Sequence, residues 1–141
     1  FNGDGTDDML IRGTNGGVSV WEMDGATLLN AGYAGDMNAD WAVRGLADFN
    51  GDGKADILAE NTSTGAVSVW EMDGSMATNK GFVKSLGAGE SITDIADVNG
   101  DGKADIQIAA ANDGISYWEM DGSELKKAIH GGHYYVDTPF I

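Results

Sequence analysis

Three places in this chain put short oxygen-bearing side chains at alternate positions around paired glycines. The middle copy is Asp48-Phe-Asn-Gly-Asp-Gly-Lys-Ala-Asp56. It returns as Asp97-Val-Asn-Gly-Asp-Gly-Lys-Ala-Asp105, and a shorter form, Phe1-Asn-Gly-Asp-Gly-Thr-Asp-Asp8, opens the chain. Counted from Asp48, side-chain oxygens fall at positions one, three, five and nine: Asp48, Asn50, Asp52 and Asp56. Position seven is Lys54, whose cationic side chain cannot donate but whose backbone carbonyl can. The later copy supplies Asp97, Asn99, Asp101, the Lys103 carbonyl and Asp105. Ca²⁺ takes about six to eight oxygen ligands, so five protein groups plus water or a bidentate Asp fill its shell. The opening copy offers Asn2, Asp4, the Thr6 carbonyl and Asp8, with no residue at position one. The expectation is two to three bound Ca²⁺ ions.

The same residues would also make good Asn-Gly and Asp-Gly hairpin turns. That explains the glycines but not several like-charged donors at fixed spacing, which repel one another unless a cation sits among them. An EF-hand opens the same way but ends on a bidentate Glu at position twelve. Here position twelve is Ala59 in one loop and Ile108 in the other. The residues around them, Ile57-Leu58-Ala59 and Ile106-Gln107-Ile108, are short apolar runs that predict strands rather than an exiting helix.

The elements that must hold these loops repeat with them. Trp-Glu-Met-Asp-Gly occurs at residues 21–25, 70–74 and 118–122, a period of 49 and then 48 residues. Such a period belongs to solenoids, propellers and arrays. One unit predicts a strand over 57–60, a turn at 61–65 and a strand over 66–72. A turn at Asp73-Gly74 and strands near 80–84 and 92–96 complete it. The fold expectation is therefore all-β. The single domain, 1–141, holds three four-stranded propeller-type blades, about 1–48, 49–97 and 98–141, with the Ca²⁺-binding loops between them. In the strand from Val67 to Met72, Val67 and Val69 point one way while Ser68, Trp70 and Met72 point the other. Both faces are apolar, as in a blade sandwiched between neighbours, so Trp21, Trp70 and Trp118 are expected in inter-blade cores.

The Asp-Phe-Asn-Gly-Asp-Gly-Lys-Ala-Asp-Ile loop followed by a Trp-Glu-Met strand resembles the FG-GAP/VCBS repeat family, which includes the calcium-binding blades of integrin α-subunit propellers and many secreted bacterial proteins. The resemblance covers nearly the whole chain. It implies Ca²⁺ bound at a blade edge by loop positions one, three, five and nine and the carbonyl of position seven. The family's usual ring has about seven blades, and three do not match it. Propellers need about four to eight, and open edges invite pairing. Three outcomes follow: a homo-oligomer completing a ring, further blades in a longer chain, or compact packing without a ring.

The formal net charge is −15, from 8 Lys and Arg against 23 Asp and Glu, and three bound Ca²⁺ would bring it to −9. An acidic chain with no basic stripe excludes nucleic acid as the expected partner. No run of about 20 apolar residues is present, so no membrane span is expected. There is no Cys, which fits a secreted bacterial protein stapled by metal rather than disulfides. An extracellular location follows from weak Ca²⁺ sites, a bacterial cell surface included. No nucleophile elbow or catalytic pair is visible, so no enzyme is expected. The His130 and His133 pair reads as ordinary loop chemistry. The leading function is a non-catalytic, calcium-binding extracellular module for adhesion or partner binding, part of a larger secreted protein. The alternative is a lectin-like module on a secreted enzyme, with Trp41, Tyr33, Tyr134 or Tyr135 stacking on sugar.

Overall fold

The structure, a computed structural model, describes residues 1–110 and 114–133. Among the described residues eleven strands form three antiparallel sheets and there is no helix. β1 (Met9–Arg12), β2 (Gly17–Asp24) and β3 (Thr27–Asp36) make the first sheet. β4 (Trp41–Ala47), β5 (Asp56–Asn61), β6 (Ala66–Asp73) and β7 (Met76–Ser85) make the second. β8 (Ser91–Ala96), β9 (Asp105–Ala109), β10 (Gly114–Asp121) and β11 (Glu124–His133) make the third. Each sheet is a meander in which consecutive strands pair.

The phase of the repeat differs from the sequence expectation in one respect. The strand before a loop pairs with the strand after it, Ala47 opposite Asp56 and Ala96 opposite Asp105. The loops therefore lie inside sheets, as hairpin connections between β4 and β5 and between β8 and β9, not between blades. The physical reason is that an antiparallel hairpin closes at once on its own neighbour. Periodicity shows how often the unit recurs but not where one sheet ends. The first sheet has three strands, β1 matching β5 and β9.

The two sides of each sheet have different fates. Phe1, Leu10, Val18 and Val20 of the first unit pack on Ile57, Ala59, Trp70 and Met72 of the second sheet. Phe49, Leu58, Val67 and Val69 of the second pack on Ile106, Ile108, Trp118 and Met120 of the third. This meets the expectation that Val67 and Val69 oppose Trp70 and Met72. Each fully buried Val, Leu, Ile, Phe or Met among them is worth about 1.5–3 kcal/mol. Like strands stack on like: β3 on β7, β7 on β11 and β4 on β8. Trp70 and Trp118 are buried, as expected. Trp21 is not: among the described residues no sheet lies beyond the first on its side, and it stays exposed.

Candidate metal centres in the Asp-rich loops

The loops curl because their glycines take the left-handed conformation. Gly51 and Gly53 have φ of 80° and 82°, and Gly100 and Gly102 have 75° and 83°. In that curl the position-one carboxylate faces inward and accepts backbone amides. Asp48 Oδ1 accepts from the Gly51 and Asp52 amides at 2.7 and 3.2 Å, and Oδ2 from Gly53 at 2.8 Å. Asp97 repeats this with Gly100, Asp101 and Gly102 at 2.8, 3.2 and 2.8 Å. Those amides, Gly102 foremost, hold the Asp97 carboxyl below its ordinary range.

The position-nine carboxylate is the buried anchor. Asp56 is fully buried; its Oδ2 accepts from the Phe49 amide and its Oδ1 from the Met72 amide, both at 2.9 Å. Asp105 is equally buried and accepts from Val98 at 3.0 Å and Met120 at 2.8 Å. Each oxygen keeps a second lone-pair direction. Burial pushes Asp56 up to about 6 despite its two amide donors, and Asp52 and Asp48 add repulsion. Burial raises Asp105 as well, with Asp101 and Asp97 adding to it. Burial and neighbouring negative charge both disfavour the ionised form, and a cation among these groups would counter both.

In the third loop Asp97, Asp101 and Asp105 bring one carboxylate oxygen each to within 4.8 Å of one another. Oxygens at that spacing suit a cation with ligands about 2.3–2.6 Å away. The Asn at position three points its carbonyl inward because its amide nitrogen is held outside. Asn50 Nδ2 donates to Glu71 at 3.3 Å while its Oδ1 accepts from the Asp52 amide at 3.1 Å. Asn99 does the same with Glu119 and Asp101, both at 3.3 Å. At position seven the lysines turn outward, Lys54 to Asp73 at 3.0 Å and Lys103 to Asp121 at 3.4 Å, which keeps both cations off the loop centre. The donor set of the third loop, where the three carboxylates converge, therefore fits a hard divalent cation; the second loop shares its hydrogen-bond scheme.

The opening loop repeats part of this scheme. The Phe1 ammonium donates to Asp8 Oδ2 at 2.8 Å, where the Phe49 amide stands in the second sheet, and the Met23 amide donates to Oδ1 at 2.9 Å. Burial works against the Asp8 carboxylate, but these donors leave it below its ordinary range. Asn2 Oδ1 accepts from the Asp4 amide at 3.2 Å, and Asp4 Oδ1 from the Thr6 amide at 2.9 Å.

Glu22, Glu71 and Glu119 were not singled out by sequence reasoning. Each binds the position-three Asn of its own loop, Asn2, Asn50 and Asn99. The signal was present: the separation is 20, 21 and 20 residues, set by two motifs that recur together.

Of the aromatic candidates, Trp41 is half-buried at the start of β4 and packs on the first core. With Asp36, Met37, Asn38, Ser68 and Trp70 it lines a cavity of about 230 Å³. Tyr33 is exposed and does not line that cavity, although its hydroxyl donates to the lining residue Asp36. Tyr134 and Tyr135 lie outside the described residues.

Residues 1–59 and 48–108 each match the family model described as FG-GAP-like repeat. No curated protein and no solved structure matches the chain.

Proposed function

The chain belongs to the FG-GAP-like repeat family, and on that premise we propose that it is a non-catalytic, Ca²⁺-binding extracellular repeat module that presents its surface to a protein or glycan partner. The observation that carries the reading is the convergence of Asp97, Asp101 and Asp105 within 4.8 Å around an inward Asn99 carbonyl. The Asp48 loop has the same hydrogen-bond scheme, which supports the same ion there. FG-GAP repeats typically belong to extracellular proteins, where Ca²⁺ is abundant enough to fill modest sites. Adhesion, or service beside a secreted enzyme, follows from that setting.

Calorimetric titration of chelator-stripped protein tests the reading. Two sites of similar affinity are expected, one lost in Asp101→Ala and the other in Asp52→Ala. Titration without heat or stoichiometry in the wild type would contradict it.

A second reading has its own observation. The Trp41 and Trp70 indoles with Asp36, Asn38 and Ser68 combine apolar faces and hydrogen-bonding groups around one small cavity, the composition that binds a single sugar ring. Lys80 already covers one face of Trp70, 4.2 Å from its centroid, so Trp41 would do the stacking. A glycan array under saturating Ca²⁺ with Trp41→Ala as control decides it. Binding lost in the variant supports a lectin, and no glycan bound by the wild type excludes one.

A further inference from the structure

The second and third Asp-rich loops touch each other. The Ala104 amide of the third donates to the Asp48 carbonyl of the second at 2.8 Å. The Gly122 amide, in the turn after β10, donates to the Phe49 carbonyl at 2.7 Å. Glu71 links the next residue across the boundary, accepting from the Asn50 side chain at 3.3 Å and from the Ser123 amide at 2.9 Å. Gly51 lies against the Lys103 stem, where a carbon added to the glycine would stand 3.2 Å from Cγ. The whole stretch 48–51 of the second loop thus rests on the third sheet. Part of the pattern recurs between the first and second sheets. Gly74 donates to the Phe1 carbonyl at 3.0 Å, and a carbon added at Gly3 would stand 3.2 Å from the Gly53 carbonyl oxygen.

These contacts fall on the candidate cation donors. Asp48 and Asn50 hold positions one and three of the second loop. Ala104 lies between Lys103 and Asp105, positions seven and nine of the third. Asp105 accepts the Met120 amide at 2.8 Å, close in sequence to the turn that carries Gly122 and Ser123. The donor sets are therefore joined by two routes. One runs through the Asp48 carbonyl and Ala104, the other through Asn50, Glu71 and the turn at 122–123.

We propose, resting on the calcium reading, that the second and third loops are a coupled pair of cation sites, in which an ion in one loop tightens binding in the other. An ion that draws Asp48 and Asn50 into its shell fixes the Asp48 carbonyl and Glu71. Those hold Ala104, Gly122 and Ser123, and with them the frame of the third donor set. Order imposed by the first ion need not be imposed again by the second, which yields positive cooperativity. Charge works in the opposite sense, because a filled loop is less negative than an empty one and attracts the next cation less. Stacked sheets lie about 10 Å apart, and charges on exposed loops are screened over about 8 Å at physiological ionic strength. The direct contact therefore outweighs the charge term, and the sign of the coupling separates the two.

Calorimetric Ca²⁺ titration of the wild type, Asp52→Ala and Asp101→Ala at about 0.15 M salt tests this, each variant keeping one of the two sites. The product of the two wild-type dissociation constants should be at least about fivefold smaller than the product of the two single-site constants, the lower end of allosteric coupling. Glu71 is a positioning residue here, and in a Glu71→Ala background that factor should fall toward one. Amide exchange gives a readout independent of affinity. In Asp101→Ala, Ca²⁺ in the second loop should slow exchange at Ala104 and Ser123 although the third loop is empty. Two ions bound with a coupling factor of one or below would overturn the inference and leave the calcium reading intact. So would a factor that Glu71→Ala leaves unchanged, or exchange at Ala104 and Ser123 that does not respond to Ca²⁺. A wild type that binds no ion contradicts the calcium reading itself, and the coupling with it.

Discussion

Glu71 Oε2 accepts the backbone amide of Ser123 at 2.9 Å, across the boundary between the second and third sheets. The same carboxylate holds Asn79 at 3.1 Å and, through Oε1, the loop residue Asn50 at 3.3 Å. One side chain thus connects a candidate metal loop to the turn of the next sheet. Its hydrogen bonds keep the carboxyl below its ordinary range although burial opposes them.

Glu71→Ala therefore removes three donors' acceptor at a partly buried junction. Hydrogen bonds to charged groups contribute about 1.5–3 kcal/mol, and the loss should fall near that range in total because the site is half open to water. Glu119, whose partner among the described residues is Asn99, should cost under about 1 kcal/mol when replaced by Ala. Urea unfolding of the two variants compares them; equal losses would mean that the Ser123 link contributes nothing.

Gly81 on β7 faces Ser123 so closely that a side-chain carbon there would overlap both Cβ and Oγ of the serine. Gly81→Val should force the second and third sheets apart at their outer strands and cost about 1–3 kcal/mol. The check is the same unfolding experiment, with Trp118 fluorescence reporting whether the second core has opened. An unchanged midpoint would show that the outer strands do not set the sheet spacing.

Asp56 gives a pH dependence of definite sign. Its folded value, pushed up to about 6 by burial, lies above the unfolded value of about 3.9. Between the two the folded state binds more protons than the unfolded one, so this group lowers stability as pH rises through that window. In chelator, the wild type should lose on the order of 2–3 kcal/mol relative to Asp56→Asn between pH 4 and pH 7. Saturating Ca²⁺ should abolish or reverse the trend, since the ion needs the ionised carboxylate. A stability difference that stays flat with pH in chelator would show that Asp56 is not strained by burial.

Much of this was legible in residue order. Two motifs at a common period named the repeat, and the alternation of Val67 and Val69 with Trp70 and Met72 placed both cores correctly. The positive φ of Gly51, Gly53, Gly100 and Gly102 follows from the Asn-Gly-Asp-Gly string itself. Two features were not legible. One is where a sheet begins, because a periodic string has no marked origin and Ala47 could pair forward or back until the hairpin is seen. The other is the unequal fate of equivalent residues. Trp21, Trp70 and Trp118 are each followed by the same Glu-Met-Asp-Gly, and among the described residues only the stacking order leaves Trp21 uncovered. The roles of Glu22, Glu71 and Glu119 lay between these cases: their spacing was visible, but hydrogen bonding between separate motifs has no local signature.

The most direct test of the calcium account is thermal unfolding of rigorously metal-free protein with and without Ca²⁺, alongside Asp101→Ala. Ligand at a hundredfold excess over Kd stabilises the fold by about 2.7 kcal/mol for each site. For a domain of this size, two sites should raise Tm by on the order of 15 °C. Asp101→Ala should lose about half of that rise. No rise from a demonstrably metal-free start would mean that the Asp-rich loops are hydrogen-bonded turns alone, and the metal, the stabilisation and the extracellular reading built on them would fall together.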